Sequence, residues 1–300
     1  MTRAGNLQPL ILDPLESRRS GTLLTSSNAF RPPIAPLEGL VTYSFETVHD
    51  ETAARSFDFS RLPDGAVQIS LYTTELPTGD VSRLYVSGAS DRPRGFTLPQ
   101  AMYRIQGVNF LAGTASDVLG VPLSSLQGTL VPLEDIWGPS ARLLAEQMEA
   151  CKTMAKRLEL LQNELHERRL RNARAISHRL AKAAVARIEN ANGSIRIGAL
   201  ADELGVSARQ LQRIFLDQVG LAPKRFAQVM RFRRVLALVA SRSPIDWAAA
   251  AVELGYTDQS HLIEEFRDQL GSTPERLRLQ GDFVEGAVSY GWLVTRAAEP

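Results

Sequence analysis

The chain is 300 residues long, 44% hydrophobic and 22% charged, a composition ordinary for soluble globular protein at a length that suits about two domains. One cysteine, Cys151, excludes an internal disulfide framework and thiolate-rich metal sites, and scattered histidines at 49, 166, 178 and 261 add no ligand cluster, so neither metal nor cofactor is expected. The net charge of +1 hides an asymmetry: Lys+Arg against Asp+Glu runs 17 to 19 over residues 1–171, 16 to 11 over 172–280, and 1 to 3 over 281–300. Such a basic excess is the footprint of a segment that meets a polyanion, although a solvated helical surface carries the same charge.

Residues 1–30 hold Arg3, Asp13, Glu16, Arg18 and Arg19, which interrupt every apolar run. A flexible leader is expected there, with neither signal peptide nor membrane span, and a cytoplasmic setting. Residues 31–138 are punctuated by Pro, Gly, Asp and Asn between short aromatic and β-branched runs, which read as strands. In "LVTYSFET" (40–47) Val41, Tyr43 and Phe45 share one side of the pleat. After the Asp-Gly turn of "PDGAVQISLY" (63–72), Val67, Ile69 and Leu71 do the same. Many short strands without intervening helices suggest a sandwich or small barrel.

The texture changes after Trp137-Gly138-Pro139: from Ser140 to about Glu189 there is neither proline nor glycine, and a long helix is expected. Leu144, Gln147, Cys151, Met154, Leu158, Leu161 and Leu165 form a seam spaced alternately three and four. This segment, 139–172, is expected to pair with a second subunit, the alternative being that the seam lies against the chain's own β-domain. "HERRLRNAR" (166–174) reads as an exposed bridge.

Residues 173–280 read as all-helical and contain a repeat. Leu211, Phe215, Gly220 and Pro223 return as Leu262, Phe266, Gly271 and Pro274, always 51 residues on. In the first copy a helix over 197–204 stops at Gly205, and Ser207 opens another with Gln210 completing a capping box. In the second, Trp247, Ala250, Ala251 and Leu254 make an inward stripe, Gly255-Tyr256 breaks it, and Asp258 caps the next helix. Two helices joined by so short a turn are a helix-turn-helix, which sets one helix in the DNA major groove. A helix through Phe226, Val229, Phe232, Val235, Leu236 and Val239 links the copies, so the pair would enter successive grooves about 34 Å apart.

With Leu211 and Phe215 inward, Arg209, Gln212 and Arg213 reach the groove, where arginine reads guanine and glutamine reads adenine. Ser207 and Gln210 lie at the start of that helix. Gln259, Ser260, His261 and Ile263 hold the comparable places in the second copy, beside acidic Glu264 and Glu265, so the second helix is expected to bind less tightly. Lys224, Arg225 and Arg231 supply phosphate contacts between the two.

The stretches "ALADELGVSARQLQRIFLDQVGLAPKRF", "RFRRVLALV" and "AAAAVELGYTDQSHLIEEFRDQLGSTPERLR" resemble the DNA-binding domain of the AraC/XylS family of bacterial transcription regulators, over roughly residues 180–280. The resemblance implies binding of double-stranded promoter DNA by two helix-turn-helix units, activation or repression of transcription, and RNA polymerase as a partner. It places Arg209, Gln212 and Arg213 at the base contacts of the first unit, and Gln259, Ser260 and Ile263 at those of the second. "GVNFLAGTASDVLGVPLSSL" (107–126) and "VPLEDIWGPSARLL" (131–144) look like the cupin-like sensory domain of some members, which implies an effector or dimerisation through the helix that follows. The expected architecture is therefore α+β in two domains: a β-rich cupin-like barrel or sandwich with a long C-terminal helix, then the all-α domain. No His-x-His with a nearby glutamate is present, which disfavours a cupin-type enzyme, and a DNA-tethered interaction adaptor is the other alternative. "SDRPRGF" (90–96) puts Arg92 and Arg94 on a turn that could meet an anionic effector, with a plain surface loop as the alternative; Tyr43, Phe45, Tyr72 and Tyr85 line a cavity or fill a core. The apolar tail 282–294 is expected to pack rather than trail free.

Overall fold

Strand alternation and two kinds of helix stripe build the molecule, and the computed structural model describes them over residues 26–49, 57–74, 81–98, 102–172, 177–240, 244–280 and 292–296. Seven strands come first: β1 (Ser26–Arg31), β2 (Val41–His49), β3 (Phe57–Arg61), β4 (Gln68–Thr74), β5 (Val81–Ser87), β6 (Arg94–Leu98) and β7 (Met102–Phe110). A short helix α1 (Ser116–Leu119), strand β8 (Leu130–Pro132) and helices α2 (Glu134–Trp137), α3 (Pro139–Glu149) and α4 (Met154–Arg171) follow. The remaining helices are α5 (Ser177–Asn190), α6 (Ile197–Glu203), α7 (Ala208–Val219), α8 (Pro223–Ala240), α9 (Trp247–Glu253), α10 (Gln259–Leu270) and α11 (Pro274–Gln280), and the chain returns to a strand, β9 (Trp292–Arg296).

The strands make two sheets, of order β1-β2-β7-β4-β5-β8 and β6-β3-β9. Residues 26–30, expected in the leader, belong to β1 and pair antiparallel with β2. The tail strand β9 pairs with β3 from Phe57↔Arg296 to Arg61↔Trp292, so the end of the chain closes the small sheet. In the large sheet, directly paired positions share a face. Val41, Ile69, Leu71, Leu84, Val86, Val108 and Phe110 lie on one face, in one apolar cluster with residues of α3 and α4. The other face carries Tyr43, Gln68, Ser70, Tyr72 and Asn109, all buried as well; a register shift between Val41 and Tyr43 separates these two, against the alternation expected over 40–47. β4 is thus covered on both sides, whereas its sequence alternation implies one.

The single long helix expected over 140–189 is broken. Thr153 is extended (φ −124°, ψ 147°) and accepts from the Lys156 amide, which starts α4 afresh. The inward face of α3 is accordingly Ala141, Leu144, Ala145 and Met148, and a seam through Gln147 and Cys151 does not exist. Gln147 is exposed and Cys151 lies in the break. α4 buries Leu158, Leu161, Gln162 and Leu165, and Gln162 Oε1 accepts from the Ile34 amide at 3.1 Å. The expected subunit seam is therefore occupied within the chain: Leu144, Leu161 and Leu165 sit in its own core, Leu158 is 2% exposed, and Met154 is half-buried. Nor is the charged stretch after it a free bridge. Arg168 stacks 3.7 Å over the Trp137 ring and bonds Ser140 and Glu164, while residues 173–174 lie outside those described.

The β-domain and the first helix-turn-helix share that same core, which runs through Leu123 and Leu126 into Leu211, Phe215, Val219 and Leu221. Ser116 Oγ donates to Gln218 Oε1 at 2.6 Å, and Lys182 meets Asp117 at 3.3 Å. A second cluster joins Phe232, Val235, Leu236 and Val239 of α8 to Trp247, Ala251, Leu254, Leu262 and Phe266, and takes in Leu62 from the β-domain. Gly65, at φ 67°, lies beneath Phe226, where any side chain would collide with the ring at 2.5 Å. Helix α8 is common to both cores: Phe226, Ala227, Val229 and Met230 belong to the first, Phe232 onward to the second.

Candidate nucleic-acid interface

In the first unit α6 and α7 meet across a turn at Leu204–Ser207. Ser207 is the N-cap of α7, its Oγ accepting from the Gln210 amide at 3.2 Å. Leu211, Ile214 and Phe215 face inward, which leaves Arg209, Gln210, Gln212 and Arg213 exposed on the outer side near the N-terminal end. The helix stops at Gly220 (φ 86°), a left-handed cap that only glycine adopts without strain. Gly271 (φ 64°) ends α10 in the same way, and Pro223 and Pro274 then open α8 and α11, so the 51-residue repeat in sequence is a repeat in structure.

The second unit is built alike. Asp246 caps α9 by accepting from the Ala248 and Ala249 amides, and Asp258 caps α10 by accepting from the His261 amide at 2.9 Å. Gln259, Ser260 and His261 are exposed on the first turn of α10. Ile263 is half-buried and packs against the second core. Arg231 also departs from expectation. Only 18% exposed, it pairs with Glu265 at 3.5 Å and lies 5.2 Å over the Tyr256 ring, so in the free chain it ties α10 to α8. The Tyr256 hydroxyl donates to Glu265 at 3.3 Å. Burial, with the Glu265 charge added, pushes that phenol up and keeps it a neutral donor. Lys224 and Arg225 are exposed at the start of α8, and Arg225 meets Asp91 of the β-domain at 3.5 Å.

The two arginines of the 90–96 stretch separate. Arg92 is exposed and lines a polar cleft of about 560 Å3 together with Asp91, Arg225, His261, Glu264 and Arg267. Arg94 lies against Gly128, and they form no joint anion site. Tyr43 and Tyr72 are buried in the sheet, where burial pushes the Tyr72 phenol up to about 12. Among the described residues no group of three or more His, Cys, Asp or Glu side chains is placed to hold a metal ion, and no helix is long and apolar enough to cross a membrane.

A family profile described as a helix-turn-helix domain matches residues 200–280, which is both units and the helix between them. The C-terminal part of this chain is an AraC-type DNA-binding domain. The AraC-type segment is 33% identical over 114 residues to the regulatory protein ada of Salmonella typhimurium, a match covering 38% of this chain and 32% of the relative, so the chain spans about a third of that relative's length. A transcriptional regulator with an AraC-type DNA-binding domain from Chromobacterium violaceum is similar over 35% of this chain and 93% of its own, at 23% identity and a TM-score of 0.32. ToxT from Vibrio cholerae, in its unsaturated fatty acid bound form, is similar over 89% of this chain and 99% of its own, at 11% identity and a TM-score of 0.38. TM-scores this low establish no shared overall fold.

One contact behind the AraC-type surface yields a pH test. Trp247 Nε1 of α9 donates to Glu275 Oε2 of α11 at 3.0 Å, and Arg278 Nε donates to the same oxygen at 2.9 Å. The Arg278 bond, followed by the Trp247 bond, holds the Glu275 carboxyl down at about 2 against its usual 4.5. A group depressed in the folded state contributes stability above the unfolded value and loses it as pH falls through the folded one. Trp247 fluorescence is expected to change as pH falls through about 2, and Glu275→Gln to remove that step from the titration.

Proposed function

We propose that the chain is a sequence-specific transcription regulator that binds double-stranded promoter DNA through two helix-turn-helix units set in successive major grooves. The observation that carries this reading is α8, one unbroken helix whose first half is packed in one unit's core and whose second half is packed in the other's. Such a connector fixes the spacing of α7 and α10, as reading two grooves requires. Arg209, Gln212 and Arg213 are the base-reading residues of the first unit; Gln259, Ser260 and His261 are those of the second; and Lys224 and Arg225 meet phosphates between them. RNA polymerase is the protein partner and the cytoplasm the setting.

The division is 31–138 for a cupin-like sensory domain, 139–172 for its helical extension, 173–280 for the DNA-binding domain and 281–300 for a tail whose β9 pairs with the sensory strand β3. An effector site between the sheets is supported by the polar face of the large one, where the buried Asn109 Oδ1 has no hydrogen-bond partner. Dimerisation through Leu158, Leu161 and Leu165 is not part of this reading, because those side chains lie inside the chain.

Selection of bound duplexes from randomised DNA by the full chain tests it. The expected result is two short recognised blocks centred about 10 base pairs apart, one helical turn. A single block, or no enrichment, would sink the two-groove reading.

A further inference from the structure

Asp91 stands on the turn between β5 and β6, and that turn is fixed from within. Ser90 Oγ donates to the Arg92 carbonyl at 2.7 Å and accepts from the Arg92 amide at 3.2 Å, which holds the residue between them in place. The Asp91 carboxylate, 22% exposed, faces the Arg225 guanidinium at 3.5 Å. Arg225 itself is 55% exposed, on the first turn of α8 and beside Lys224. Across the polar cleft, Asp91 and Arg92 of the β-domain look onto His261, Glu264 and Arg267 of α10. Besides its shared core with the first unit, the β-domain therefore also reaches the DNA-binding part where linker helix and second reading helix converge. The first reading helix is treated differently: Arg209 and Arg213 have no ion-pair partner among the described residues.

We propose that the Ser90–Arg92 turn is a built-in competitor for DNA, its Asp91 carboxylate occupying the guanidinium that a backbone phosphate would take. The inference rests on the reading of Arg225 as a phosphate contact. Asp91 meets Arg225 at Nε, while Nη1 donates to Gln228 Oε1 at 3.3 Å, so a phosphate that takes the guanidinium along its Nε edge competes with the carboxylate for that donor. In the free protein the first unit is open, while the junction with the second carries a neutralised cation. Binding to both grooves must first displace Asp91, so a signal that moves the β5–β6 turn alters DNA affinity without touching a reading helix. Strand β5 is a suitable carrier, since its last residue, Ser87, is bonded by the buried Arg61.

The test is a double-mutant cycle in the full chain, with the duplex recovered by the selection above and an unrelated duplex as probes. Affinity is read by fluorescence anisotropy over a salt series. Asp91→Asn is expected to tighten binding to both duplexes about two- to five-fold near 0.1 M salt, the range of an exposed ion pair, and to steepen the salt dependence by up to about one phosphate contact. Arg225→Ala is expected to weaken binding, and Asp91→Asn to add nothing in its presence. If Arg225→Ala weakens binding but Asp91→Asn changes nothing, the competitor is overturned and the phosphate contact stands. If Asp91→Asn tightens binding equally without Arg225, the gain is general loss of negative charge, and the competitor is again overturned. If Arg225→Ala has no effect, the phosphate contact itself fails and the inference falls with it. Thermal melting of each variant, expected within a degree or two of the parent because Arg225 is exposed and Asp91 only partly buried, separates these outcomes from misfolding.

Discussion

Replacing Arg209 and Arg213 together by alanine is expected to lower affinity for the selected duplex by roughly 10²- to 10⁴-fold, since each good bidentate base contact is worth about 1–3 kcal/mol. The expectation follows from how α7 is held. Leu211 and Phe215, each 0% exposed, fix the rotation of the helix, and the Ser207 cap and Gly220 stop fix its ends. Arg209 and Arg213 are one helical turn apart, so both project from the side opposite that core. Neither makes an ion pair among the described residues that would restrain it, and the double variant should therefore fold and melt like the parent. The decisive measurement is the ratio of specific to unrelated-DNA affinity at fixed salt. Loss of base contacts collapses that ratio; loss of phosphate contacts alone weakens both affinities together and lowers the salt slope by about two contacts. An unchanged ratio would show that α7 is not the reading helix.

The residues behind this prediction were legible in sequence because each has a narrow conformational job. A left-handed cap selects glycine, a first helical turn accepts proline, and a small two-helix core takes leucine and phenylalanine at a four-residue spacing; the second copy repeats them all at one offset. Long-range pairings were not legible. Arg231 reads as one more exposed cation on α8 until Glu265 and Tyr256 are seen against it. The apolar tail announces burial, but not that β9 pairs with β3, because strand pairing across most of a chain leaves no local trace. In the seam, periodicity reports a buried stripe without naming what buries it, and the break at Thr153 contains neither proline nor glycine. Polar β4 residues mislead in a further way. Gln68 and Ser70 alternate with the apolar Val67, Ile69 and Leu71, yet the sheet face that holds them is itself covered.

Asp64→Ala is expected to cost about 3–5 kcal/mol of folding stability, because it strands a buried cation. Arg61 and Asp64 are 5% and 6% exposed, and Arg61 reaches both carboxylate oxygens at 3.0 Å. The same guanidinium donates to Ser87 Oγ and to the Ala66 carbonyl, each at 2.7 Å, while Asp64 Oδ1 accepts from the Ala66 amide at 3.0 Å. This set of bonds, which leaves the buried Arg61 Nε without a partner among the described residues, shapes the turn that seats Gly65 beneath Phe226 and delivers Leu62 to the second unit's core. Alanine removes the counter-charge and the turn's acceptor together, leaving a guanidinium that water cannot reach. Replacing both partners, Arg61→Met with Asp64→Leu, should cost distinctly less than Asp64→Ala alone, since no unpaired charge remains. Denaturant midpoints of the three proteins decide the matter. A single variant within about 0.5 kcal/mol of the parent would mean that solvent or a rearranged turn compensates the charge. The expected larger loss, accompanied by weaker binding to the selected duplex, would tie the stability of the β-domain turn to the helix that carries both reading units.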